Sequence, residues 1–179
     1  MKLVLIGFFL SLSLLALAAP FPVTSSSVLT DPSFGLFFQP HGFSLKSTGT
    51  DWILDPESNK SIFQSYKYKA KEKSFSNQAQ LSLRIDQISS QQNLENYAKK
   101  WMREYPQFGF EILGTRPLKM GGGNALLVDL YQKNKNHQLR QLIMQKGSKI
   151  VIMTCSDQIS NFKKTLVQCN QLMNNFNWL

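Results

Sequence analysis

Residues 125–155 read ALLVDLYQKNKNHQLRQLIMQKGSKIVIMTC. Three runs rich in apolar residues, Ala125 to Lys133, Gln138 to Gln145 and Lys149 to Cys155, are punctuated by Asn134-Lys135-Asn136 and by Gly147-Ser148. Asn and Gly accept the left-handed backbone that tight hairpins require, so the runs read as three strands of an antiparallel meander. Asp129 is the one acid in strongly apolar company, and it reads as an exposed strand residue. Just upstream, Gly121-Gly122-Gly123 resembles a phosphate-cradling loop only superficially. It lacks the terminal Lys-Ser/Thr, and a strand follows where a phosphate loop would open a helix. It reads as a tight turn leading back to a further strand at Phe110 to Leu118.

Downstream, Ile159, Phe162, Leu166, Cys169, Met173 and Phe176 recur at spacings of three and four, which predicts a helix over Gln158 to Phe176. Asp157 is placed to cap it. The two cysteines of the chain are Cys155, ending the last strand on the face of Val151 and Met153, and Cys169, on the apolar stripe of this helix. In an oxidising compartment such a pair is expected to be bridged. About three turns of helix separate Cys169 from the helix start, a rise on the order of 18 Å. The bridge therefore requires the helix to run back along its own strand or cross it obliquely, because bridged Cα atoms lie within roughly 7 Å.

Upstream, Leu94, Tyr97, Ala98, Trp101, Met102 and Tyr105 form one helical stripe, with Asn93 as N-cap and Pro106 as stop. The opposite face, Asn96, Lys99, Lys100 and Arg103, reads as solvated. Before it, Phe43 and Leu45 alternate with polar neighbours, Trp52 and Ile53 follow a turn, and Ile62 to Lys69 and Leu81 to Ile85 read as strands. In the last of these Leu81, Leu83 and Ile85 face one way, and Ser82, Arg84 and Asp86 the other. The sum is an α+β fold, an antiparallel β-sheet with two long helices, in a single domain over residues 42–179. Residues 19–41 read as an extended leader, rich in Pro, Ser and Thr to residue 33, with Phe34, Leu36, Phe37 and Phe38 packing on the domain or forming an edge strand.

The amino terminus carries an address. Lys2 precedes an apolar run from Leu3 to Leu17, and Ala16-Leu17-Ala18 gives the small-x-small pattern cut by signal peptidase. Residues 1–18 are expected to be removed, leaving about 160 residues, one ordinary domain with a real core. No later segment is apolar for long enough to span a bilayer. With 20 Lys and Arg against 11 Asp and Glu, the formal charge is +9, one unit of it from Lys2. Such an excess favours anionic partners.

The order of elements and the residues at their junctions resemble the PsbP-like superfamily, which includes the extrinsic photosystem protein, a yeast Ran-binding import factor and many bacterial exported proteins, DcrB-like ones among them. The stretches that match are Gly42-Phe43-Ser44-Leu45 with Trp52, Leu94-Glu95-Asn96-Tyr97-Ala98, Gly122-Gly123-Asn124-Ala125 with Leu126, Val128 and Leu130, Arg140-Gln141-Leu142-Ile143, the Ile150 to Thr154 strand and the Phe162 to Phe176 helix. The resemblance implies an α/β/α sandwich, an antiparallel sheet between helices, and a tendency toward binding without chemistry. Function does not travel with such a fold, and no functional residue of the family transfers to this chain.

One candidate binding feature stands out. Lys67, Lys69, Lys71 and Lys73 occupy every second position, interleaved with Tyr66, Tyr68 and Phe75. On a strand, period two puts the four lysines on one face, where they could follow a phosphate backbone or anionic headgroups while the aromatic rings stack on bases. The plain alternative is a solvated sheet edge that lysines protect from aggregation. No Gly-x-Ser-x-Gly elbow or pair of suitably spaced acids occurs, and nothing links His41 or His137 to a nucleophile. Two histidines and two distant cysteines do not make up a familiar zinc set. No catalytic residue, cofactor or metal ligand is assigned. The reading is a periplasmic or secreted binding or accessory module whose partner is a protein or an anionic envelope component, with nucleic acid disfavoured. The rivals are a basic binder of anionic lipid, polysaccharide or nucleic acid, and an enzyme with a noncontiguous site.

Overall fold

Strand alternation and turn chemistry build most of this molecule. The computed structural model describes residues 29–31, 35–38, 41–55, 65–70, 78–89 and 91–179. The expected signal segment with its cleavage site, and Lys71 and Lys73 of the lysine stripe, lie outside the described residues. The elements run β1 (Leu29–Asp31), β2 (Gly35–Phe38), β3 (Phe43–Leu45), β4 (Trp52–Leu54), β5 (Ser65–Ala70), β6 (Gln80–Gln87), α1 (Leu94–Glu104), β7 (Phe110–Met120), β8 (Gly123–Gln132), β9 (His137–Lys146), β10 (Lys149–Gln158), α2 (Ile159–Asn174) and β11 (Phe176–Trp178).

Two antiparallel sheets result. Seven strands are ordered β4-β5-β6-β10-β9-β8-β7, and four are ordered β1-β2-β3-β11. The β8-β9-β10 meander is in full register, Leu127 opposite Leu142 and Leu142 opposite Met153. Gly121 and Gly122, both at positive φ (58° and 82°), make the two-residue turn from β7 to β8.

The seven-stranded sheet is apolar on both faces. On one, Leu81, Leu83, Leu142, Met144, Val151 and Met153 pack against Phe162, Cys169, Leu172 and Met173 of α2, with Phe43, Leu45 and Phe176 of the small sheet completing the layer. On the other, Val128, Leu130, Ile143, Ile150 and Ile152 receive Ala98 of α1 and the following Tyr105. Each fully buried Leu, Ile or Met is worth about 1.5–3 kcal/mol, so these two layers and not surface ion pairs hold the sandwich together. The fold is α+β, a sheet between helices, as the sequence leads one to expect.

Several boundaries differ from the sequence reading. Within residues 19–41, β2 forms over Gly35–Phe38, one of the two outcomes expected for its phenylalanines, and β1 precedes it. β2 pairs with β1 and with β3, Phe37 opposite Ser44. Phe176 is not on the last helix: α2 ends at Asn174, and Phe176 opens β11, which pairs with β3 through Trp178 opposite Phe43. Asp157 belongs to β10 and is fully buried, while the N-cap position falls to Gln158. The Asp157 carboxylate instead accepts from the Gln158 backbone N–H at 2.7 Å and from the Thr165 hydroxyl nearly two turns into α2. Asn93 caps α1 as expected, accepting from the Asn96 amide at 2.9 Å. Pro106 does not end helical geometry abruptly. It sits in the first turn of a 3-10 helix, Tyr105–Phe108, where it forfeits no hydrogen bond, and Gly109 closes that turn.

Candidate functional site

The polar side of β6 and the flank of α1 meet in one cluster. Alternation sends Leu81 and Leu83 into the α2 layer and turns Ser82, Arg84 and Asp86 toward the α1 side. Tyr97 and Trp101, one turn apart on α1, project onto the same place. Arg84 donates from Nη2 to Asp86 Oδ2 at 2.8 Å and to the Tyr97 hydroxyl at 3.1 Å. The Tyr97 hydroxyl donates in turn to Asp86. The guanidinium lies over the Trp101 ring, 4.8 Å from its centroid, a cation–π contact that orients the side chain.

Electrostatics follow from this packing. Burial, reinforced by the bond to Asp86, pushes the Tyr97 phenol up to about 12. Burial alone would lower the Arg84 value, but the bonds to Tyr97 and Asp86 outweigh it and hold the guanidinium above its ordinary range. Arg84 is therefore a fixed cation whose negative partner is already in place. Its side chain remains 39 % exposed, and among the described residues Nη1 has no partner. A neighbouring network ties Tyr105 to Gln141 and Gln141 Nε2 to the Thr154 hydroxyl at 3.3 Å.

Between α1 and the end of β6 a cleft of about 530 Å³ opens, lined by Asp86, Gln87, Gln92, Asn96, Lys100 and Trp101 among others. Beside β6 in the same sheet runs β5, where Lys67 pairs with Ser82 and Lys69 with Ile53 of β4. Positions 67 and 69 thus alternate with Tyr68. β5 lies between β4 and β6, so at Lys69, which faces Ile53 of β4, the strand is not a sheet edge. The expectation that the interleaved tyrosines stack on bases also fails at Tyr68, which is 2 % exposed in the α2-side core.

The remaining sequence candidates serve the fold. Cys155 and Cys169 are bonded, with Cα atoms 6.0 Å apart, and α2 packs back along β10 as the bridge requires. Asp129 is not a free strand acid, because Arg140 grips it with two bonds of 2.7 and 2.8 Å. Directly opposite strand positions bring this pair together, a signal available once the β8-β9 register is known. His137 Nε2 is 2.9 Å from Gln78 Oε1. His41 is buried and stacks near Phe43; burial, then the nearby Lys149 charge, lower its pKa. Among the described residues no three His, Cys, Asp or Glu side chains gather as a metal site would need. No helix among them is long and apolar enough to cross a membrane.

No family model matches the chain, and no curated protein sequence matches it. Solved structures do. The cyanobacterial PsbP protein (CyanoP) from Synechocystis sp. PCC 6803 superposes with a TM-score of 0.58 at 11 % identity, covering 91 % of this chain and 99 % of that one. LpqN, involved in cell envelope biogenesis of Mycobacterium tuberculosis, gives 0.58 at 14 % identity over 75 % of this chain and 82 % of its own. A protein of unknown function from Pseudomonas aeruginosa, PA94, gives 0.56 at 14 % identity over 69 % and 94 %. The chain has the PsbP-like fold; at these identities the likeness speaks for architecture alone.

Proposed function

We propose that this chain is an exported, non-catalytic binding module of the cell envelope. The observation that carries the reading is the use the fold makes of its acids. Asp86 is engaged by Arg84 and Tyr97, Asp129 by Arg140, and Asp157 by Thr165. Glu95 and Glu111 are paired with Lys99 and Lys133. These five acids are thus held in hydrogen bonds or ion pairs. The cationic excess is carried outward on exposed residues such as Lys100, Arg103, Arg116 and Lys119. A surface of this kind is suited to recruiting anionic partners.

Export is supported by Lys2, the apolar run behind it and the Ala16-Leu17-Ala18 site. A fully buried disulfide suits an oxidising compartment. LpqN, which shares the fold, works in envelope biogenesis, in keeping with the same compartment.

Two measurements test the proposal. Intact mass of the protein recovered from the envelope fraction is expected to begin at Ala19; a chain that still starts at Met1 contradicts export. Immobilised residues 19–179 are expected to retain an envelope component that excess free protein displaces and that is released chemically unchanged. Release in altered form would make the protein an enzyme.

A further inference from the structure

Resting on the binding-module reading, we infer that the α1-side face of β5 and β6, with the cleft beside α1, is the docking surface for an anionic polysaccharide chain. Three features of the face argue for it. The first is charge. Arg84 keeps Nη1 uncommitted, Lys100 stands exposed at the cleft, and β5 brings Lys67 and Lys69 to alternate positions beside Ser82 and Ile53. Asp86, the acid that lines the cleft, is already bonded to Arg84 and Tyr97, so an arriving anion meets a compensated carboxylate.

The second feature is shape. The cleft runs between the end of β6 and the flank of α1, so a ligand must reach down beside a helix to touch Asp86 and Trp101. A flexible chain one sugar wide can do that, whereas a bilayer presents a flat plane. Strand spacing near 4.8 Å and a rise near 3.3 Å per residue space alternate strand positions at about 6.6 Å, comparable to the length of one sugar ring. The third feature is the kind of contact on offer. Ser82, Gln87, Gln92 and Asn96 supply hydroxyl and amide groups suited to a hydroxyl-rich chain. Base stacking, which single-stranded nucleic acid needs, finds little purchase: Tyr68 is buried, and Arg84 already occupies one face of the Trp101 ring.

The test uses residues 19–179 and a heparin-derived dodecasaccharide, with neutral dextran, phosphatidylglycerol vesicles and a twelve-nucleotide oligothymidine as comparators. Binding to the dodecasaccharide and not to dextran is expected, weakening by about tenfold between 50 and 300 mM salt. Lys67→Gln/Lys69→Gln, with unchanged melting temperature, is expected to weaken it by about tenfold. Arg84→Lys, which keeps the charge and loses the fork, is expected to weaken it several-fold. Lys135→Gln/Lys163→Gln, removing equal charge elsewhere, is expected to change affinity less than twofold. Equal losses in the two lysine pairs would overturn the site, since bulk charge would then explain the binding. Tighter, Lys67- and Lys69-dependent binding of the vesicles or the oligonucleotide would overturn the ligand class. If the dodecasaccharide does not bind while envelope capture survives in Lys67→Gln/Lys69→Gln, the docking surface is refuted and the binding module stands. If envelope capture is lost as well in the unaltered chain, the broader reading falls with it.

Discussion

Gly123 shows how tightly single positions are specified. A Cβ there would lie 2.8 Å from the Gln145 backbone oxygen and 2.8 Å from Trp178 Nε1, and the first of these cannot rotate away. Gly123→Ala is expected to lower stability by about 1–3 kcal/mol, the usual cost of overpacking, read as a fall in the urea midpoint with unchanged m-value. Unchanged stability would mean that β8 and β9 separate at Gln145 without cost. His41 has a consequence for pH. Burial and Lys149 lower its pKa, so the unfolded chain takes up a proton near the ordinary value of about 6.5 while the folded chain resists until lower pH. Its contribution is fully present above that value and is lost as pH falls through the window below it. The melting temperature should therefore drop more between pH 7.5 and 5.5 for the unaltered chain than for His41→Gln; equal drops would refute the assignment.

At the level of helices and strands, the disulfide makes the sharpest prediction. It joins β10 to α2 across a separation of 14 residues and is fully buried. Closing a loop of about 15 residues is worth roughly 3 kcal/mol in the chain-entropy model, so Cys155→Ala/Cys169→Ala should unfold at correspondingly lower urea. A loss well under 1 kcal/mol would show that packing of Phe162, Leu172 and Met173 alone fixes α2. This bridge was legible in the sequence because both cysteines sit on apolar faces whose phase can be counted. The meander and α1 were legible for the same reason, through strict alternation, Asn and Gly turns and the Asn93 cap. β2 was legible only as one of two alternatives for the Phe34 to Phe38 stretch. β1 was not legible, because a short strand among Pro, Ser and Thr is recruited by pairing with β2 and not by its own propensity. The Arg84, Asp86, Tyr97 and Trp101 cluster was hidden too. Its members were read as a solvated strand face and a core stripe, and only the lie of α1 beside β6 joins them. Its sequence trace is modest: two aromatic residues with polar tips on the stripe of α1, residues that seek a partner when buried.

For the molecule as a whole, the two faces of the large sheet are used differently. The face under α2 and the small sheet is closed by apolar packing and a disulfide. The α1 face is closed over β8 and β9, and along β6 it carries an oriented cation, hydroxyl and amide groups and a cleft. The fold itself was readable from pattern; the compensated acid at the cleft was not, since charge pairing across elements is set by tertiary contact. The most direct measurement is a nitrogen-15-labelled amide titration of residues 19–179 with the heparin-derived dodecasaccharide. Chemical-shift changes are predicted to concentrate on 65–70, 80–88 and 92–101, leaving α2 and β11 unmoved. Changes centred on α2, or spread evenly over the exposed lysines, would contradict the account.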